Sequence, residues 1–224
     1  MQFKLDFAPS YTIATTTLNP NEEIRVEAGA MVAMSEGVAV ETKMEGGLFG
    51  GLKRAIGGES FFMNTYKAPA QGGEILLAPA LPGDMKVLNH TGGTFYLQSG
   101  SFIASERTVQ TDTGWGGSRG FFGGAGLILL KVTGQGQILL GCYGAMIEKV
   151  LAPGEHYTID TGHIVGFDGS LQFSVRRVGS WKSTFLSGEG FVCELTGPGR
   201  VLIQTRSEES FIGYISSRLP SRSN

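Results

Sequence analysis

Three stretches of the chain align with one another: VEAGAMVAMSEGVAVET from Val26, LQSGSFIASERTVQTDT from Leu97 and IDTGHIVGFDGSLQFSV from Ile159. Gly29, Gly100 and Gly162 superpose. Each glycine precedes an apolar pair, Met31 and Val32, Phe102 and Ile103, or Ile164 and Val165, the third copy also admitting a shift to His163 and Ile164. A second block continues the alignment in GGESFFMNTYKAPAQGGEILL, GGAGLILLKVTGQGQILL and SGEGFVCELTGPGRVLI. There Gly58, Gly124 and Gly188 correspond, as do Gly73, Gly136 and Gly199. The spacing of roughly 62 to 71 residues is too long for a small solenoid unit and suits a module of several strands. Modules are expected at about 20–90, 91–152 and 153–206, with 207–224 as a C-terminal helix and tail, all in one compact domain.

Within a module the pattern reads strand, turn, strand. Short runs of Val, Ile, Leu and Phe are bounded by PG, GG, GQG and GPG, where glycine accepts positive φ and proline fixes φ. In Ser170–Val175 the alternation puts Leu171, Phe173 and Val175 toward a core. The fold class is therefore all-β. Two helices are expected besides: a short one near 48–56, from Leu48, Leu52 and Ile56, and a C-terminal one near 208–218. The second is capped at Ser207-Glu208-Glu209 and stopped at Pro220.

Composition supports a folded domain. Thirty-five of the 224 residues are glycine, more than twice the ~7% share of an average chain. Charged residues make only 17% against a usual ~25%, and 41% of the chain is hydrophobic, which excludes disorder. A net charge of −2 gives no long-range attraction for polyanions. The two cysteines, Cys142 and Cys193, form no CxxC pair and read as buried thiols of a reduced compartment. No signal-like start or membrane-length apolar run occurs, so the expected location is cytoplasmic.

The blocks GAMVAMSEGVAVETKMEGGLFGGLKRAIGGESFFMN and SGEGFVCELTGPGRVLIQTRS resemble those of bacterial relatives of the altered-inheritance-of-mitochondria (mitochondrial biogenesis) family. The resemblance spans essentially the whole chain. It implies a fold like that of the trp RNA-binding attenuation protein: β-sandwich or double-stranded β-helix-like modules in an internal pseudo-threefold repeat. It brings no catalytic residues with it.

Candidate chemistry is thin. A cupin-type metal site needs an HxH pair with a further Glu and His, whereas His90, His156 and His163 lack that spacing. Cys142 and Cys193 sit in apolar strands, where burial silences a thiol, and no GxSxG elbow occurs. Catalytic residues, metal and cofactor are accordingly all assigned as none, and the chain is expected not to be an enzyme. GQGQILLG and GGAGLI lack the Lys-Ser/Thr of a phosphate loop.

Basic and aromatic residues recur before each second block: Lys53 and Arg54; Trp115, Arg119, Phe121 and Phe122; Trp181, Lys182 and Phe185. Under pseudo-threefold symmetry they would form a rim for an anion, a small ligand or a partner. RNA binding would draw on Lys53-Arg54, Arg176-Arg177 with Lys182, and Arg206, Arg218 and Arg222, and is disfavoured because fold does not carry function. LFGGLKRAI could lie at a membrane interface, but its glycines weaken an isolated helix, and stable insertion is not expected. Sparse charge leaves sheet edges poorly protected. The leading expectation is therefore a non-enzymatic scaffold acting through self-association, as a trimer or other cyclic assembly, or through a protein partner.

Overall fold

The alternating Gln172–Arg177 segment and the continuous apolar run Leu127–Leu130 both become antiparallel strands, for different reasons that set the layering of the molecule. A computed structural model describes residues 1–41, 63–112, 121–122, 127–178 and 190–220. The first strands are β1 (Gln2–Asp6), β2 (Ile13–Leu18), β3 (Glu23–Glu27), β4 (Met31–Met34), β5 (Ala39–Glu41), β6 (Met63–Lys67) and β7 (Gly73–Leu77). The next are β8 (Met85–His90), β9 (Phe95–Gln98), β10 (Phe102–Glu106), β11 (Val109–Asp112), β12 (Phe121–Phe122), β13 (Leu127–Gly134) and β14 (Gly136–Gly141). The last are β15 (Met146–Leu151), β16 (His156–Asp160), β17 (Ile164–Asp168), β18 (Gln172–Arg177), β19 (Phe191–Thr196) and β20 (Gly199–Gln204), before helix α1 (Glu208–Ser216). The all-β expectation holds.

The strands form four sheets, ordered β1-β2-β7-β4, β5-β6-β3-β10-β14-β8, β11-β13-β9-β17-β20-β15 and β16-β19-β18, with β12 beside β13. One apolar core joins residues of the first two sheets, including Leu18, Ile75 and Leu77 with Ile24, Val26 and Leu139. A second joins the second and third sheets, including Leu88, Ile138 and Leu140 with Leu97, Leu130 and Leu202. A third joins the third and fourth, including Leu127, Leu129 and Val201 with Ile159, Cys193 and Leu195. The central strands of the inner sheets are thus buried on both faces, while β5 and β15 at their margins stay largely exposed. That is why β13 and β14 carry unbroken apolar runs: Leu129 serves the third core and Leu130 the second, while Leu139 serves the first and Leu140 the second. β18, at the edge of an outer sheet, alternates half-buried Phe173 and Val175 with exposed neighbours.

The two inner sheets are each made from two sets of strands. β10 pairs β3 through Ala104↔Val26, Ser105↔Arg25 and Glu106↔Ile24. β17 pairs β9 through Gly166↔Leu97, Phe167↔Tyr96 and Asp168↔Phe95. Among the described residues the outer sheets end instead at β4 and at β16. Register shifts fall at matching places, between Met31 and Ala33, Phe102 and Ala104, and Ile164 and Gly166. They match Ile164, not His163, to Met31 and Phe102. The extra residue of a bulge lets the strand turn a side chain toward a different neighbour.

Helix α1 starts where the sequence places it. Ser207 caps it, its hydroxyl accepting from the Ser210 N–H at 3.3 Å, and Glu208 and Glu209 lie in the first turn, where carboxylates favour the helix dipole. It ends at Ser216, and none of its residues is buried. The helix expected near 48–56 lies outside the described residues. No helix among the described residues is long and apolar enough to cross a membrane.

Candidate functional site

The turns between β3 and β4, β9 and β10, and β16 and β17 carry the aligned glycines Gly29, Gly100 and Gly162, and all three line one cleft of about 590 Å³. Gly29 has φ +95°, a conformation that disfavours any side chain. Gly162 is held by closeness: a Cβ there would stand 2.6 Å from Ser207 Oγ. The Asp160 carboxylate accepts from the Gly162 N–H at 2.8 Å, fixing the turn.

Gln204 ties two walls of the cleft together. Its Nε2 donates to the Gly162 carbonyl at 2.8 Å and its Oε1 accepts from the Tyr143 N–H at 2.9 Å. His163 Nδ1 lies 2.8 Å from the Gln204 carbonyl, so the tautomer protonated at that nitrogen donates. Phe211 of α1 meets Tyr143 edge to face at 5.9 Å between ring centroids, seating the helix at the rim. The charged lining residues are Glu27, Glu208 and Glu209, so the cleft's field suits a cationic or neutral group better than an anion.

Cys142 also lines this cleft. Burial pushes its thiol up to about 11, and Sγ donates to the Gly144 carbonyl at 3.3 Å. Burial pushes Cys193 up to about 12. A nucleophile needs the thiolate, which these environments suppress near neutral pH. His156 Nδ1 is 2.9 Å from Thr196 Oγ1, so it and His163, which contacts the Gln204 carbonyl, are engaged with different partners. Among the described residues, no three His, Cys, Asp or Glu side chains cluster in a way that could hold a metal ion.

The rim residues Lys53, Arg54, Trp115, Arg119, Trp181, Lys182 and Phe185 lie outside the described residues. Phe121 and Phe122 are described as backbone alone, pairing with Ile128 and Leu127. Of the basic residues weighed for RNA, Arg176 Nε sits 2.6 Å from Glu194 Oε1, Arg177 lies over the Phe191 ring, and Arg218 covers Tyr214 with its guanidinium carbon 3.7 Å from the ring centroid.

Sequence reasoning did not identify the cleft, although its signal was present in the recurrence of Gly29, Gly100 and Gly162. It also anticipated exposed sheet edges without saying which. The edge strand β4 is exposed at all four residues, Met31, Val32, Ala33 and Met34.

Three comparisons relate the chain to known proteins. An uncharacterised protein of Streptococcus pyogenes serotype M6 is 28% identical over 233 residues, covering 100% of this chain and 93% of the relative. The X-ray structure of a Streptococcus pyogenes protein, 24% identical, superposes with a TM-score of 0.81 over 97% of this chain and 99% of that one, and so shares the fold. The family model described as Mitochondrial biogenesis AIM24 matches residues 3–206, and the chain belongs to that family.

Proposed function

We propose that this protein is a non-enzymatic β scaffold, built of three similar modules, that works by associating with further copies of itself. The observation that carries the reading is β4. Its Met31, Val32 and Met34 are 37%, 55% and 42% exposed at the end of a sheet, on a strand with no charged residue. Natural edge strands are normally shortened, charged or covered, and an apolar edge left open is a template for another strand. Fully burying an exposed aliphatic side chain contributes about 1.5–3 kcal/mol, of which Val32, 55% exposed, has a part still to gain in a partner.

The three-module reading draws support from the matched bulges and from pairings that recur in each set: β2, β8 and β15 pair β7, β14 and β20 respectively. The exposed Phe211, Ile212, Tyr214 and Ile215 of α1 add apolar surface outside the sheets. Two buried free thiols fit a reducing, cytoplasmic setting.

Native mass spectrometry of the full chain, purified without added ligand, tests the reading. A multimer without extra mass is expected. A monomer carrying a small bound mass would instead favour the ligand-binding alternative, and a bare monomer would remove both.

A further inference from the structure

The sets of strands meet twice within the chain by one rule. Counted from the aligned glycine, the residue three before Gly29, Val26, faces the residue four after Gly100, Ala104. Leu97 and Gly166 stand in the same relation to Gly100 and Gly162. In both junctions the neighbouring pairs follow without slippage, Arg25 with Ser105 and Tyr96 with Phe167.

Each junction also plugs side chains of the later set into the core of the earlier one. Ile103 and Leu139 belong to the first core, with Ile24 and Val26. Val165 and Leu202 belong to the second, with Leu97 and Phe102. By the same count the equivalents in the first set are Val32 and Leu76. Leu76 is only half-buried and Val32 is 55% exposed, whereas Ile103 is 1% and Val165 0% exposed. β4 is therefore a plug without a socket among the described residues.

The socket has its counterpart at the other end of the chain. β16 occupies the position of β3 and β9, yet it is an edge strand, and His156, Tyr157 and Thr158 are exposed. The three-stranded sheet β16-β19-β18 matches the half-sheets β5-β6-β3 and β11-β13-β9, and β4-β7-β2 matches β10-β14-β8 and β17-β20-β15. Among the described residues the chain carries two complete junctions and the two separate halves of a third.

Resting on the self-association reading above, we propose that a second copy of this chain covers β4 with its own β16, in the register of the two internal junctions. Ala33 then faces Ile159, Met34 faces Thr158 and Ser35 faces Tyr157. One step further on, Glu36 faces His156, at the position where Arg107 bonds Glu23 in the first internal junction. A polar or ionic pair is thus retained there with its order reversed. Because the surfaces joined are different, the contact is head to tail and propagates to a closed ring or an open filament.

The test uses two single variants of the full chain, Met34→Cys and Thr158→Cys. Both positions are exposed, and paired residues on antiparallel strands lie about 4.5–5.5 Å apart at Cα, within disulfide reach. Oxidising an equimolar mixture should give a covalent dimer of twice the chain mass, with neither variant doing so alone. The double variant should give a ladder or a ring of linked chains. Ser35→Cys with Tyr157→Cys repeats the test at the adjacent pair should either first variant not fold. Multimers that never link at these pairs would overturn the junction while leaving self-association standing. A chain that stays monomeric by native mass spectrometry would remove self-association itself. Linkage of the double variant only at monomer mass would overturn the second copy as occupant, since the two edges would then close within one chain.

Discussion

Ala104 lies opposite Val26 across the β10–β3 junction, and both are fully buried. The first core holds the pair together with Ile103 and Leu139 from the same side of the junction. Both side chains are fully enclosed, and overpacking a core costs about 1–3 kcal/mol. Ala104→Leu should lower the urea midpoint accordingly without changing the m-value, and an unchanged midpoint would mean that the junction is looser than described.

Ile103 and Val32 stand at the same bulge position but in opposite surroundings, one buried and one exposed. Ile103→Ala should destabilise the chain by about 2–5 kcal/mol, as for deletion of a buried aliphatic group. Val32→Ala in dilute protein should cost ~0.5 kcal/mol or less, as at other surface sites, while weakening association. Equal losses in chemical denaturation of the dilute chains would contradict the proposed equivalence.

The contrast also marks what the sequence could express. Strands, glycine turns and the Ser207 cap are local, and they are legible from alternation, punctuation and capping residues. The apolar runs Leu127–Leu130 and Ile138–Leu140 identify strands but not which cores their two faces serve, because that depends on pairing between residues far apart in the chain. Gly100 and Gly162 read as turn residues. Their place on one cleft follows only from the long-range pairing of β17 with β9. The rim of basic and aromatic residues was inferred from recurrence alone, and its residues fall outside those described or, at Phe121 and Phe122, are described as backbone only.

His90 ends β8 opposite Gly136, and its Nε2 has no hydrogen-bond partner among the described residues. Burial lowers its pKa below the ordinary 6.5, and Arg200 adds to that, against the opposing effects of a backbone hydrogen bond at Gly93 and the Asp168 carboxylate. The unfolded chain therefore takes up the proton first as pH falls. His90's contribution is complete above about 6.5 and is lost as pH drops from there through the folded-state value. Stability measured by urea unfolding at about pH 7.5 and about pH 5.5 should fall with acidification, and His90→Gln should flatten the slope. An identical slope in the variant would contradict this assignment.

Ser207 closes one side of the cleft and caps α1, which buries none of its residues. Ser207→Ala should remove about 1 kcal/mol from the helix. Hydrogen exchange of the amides from Phe211 to Ile215 should quicken about fivefold, with little change in the sheets. Unchanged exchange would mean that Tyr143 and Phe211, and not the cap, hold the helix in place.

The central claim is that β4 is an association edge, and sedimentation velocity of the wild-type chain beside Met34→Glu tests it most directly. A charge on an edge strand opposes pairing with another strand. The account predicts a multimer for the wild type at micromolar concentration and a folded monomer for Met34→Glu. A wild type that sediments as a monomer at every concentration, or a variant that assembles as the wild type does, would contradict it.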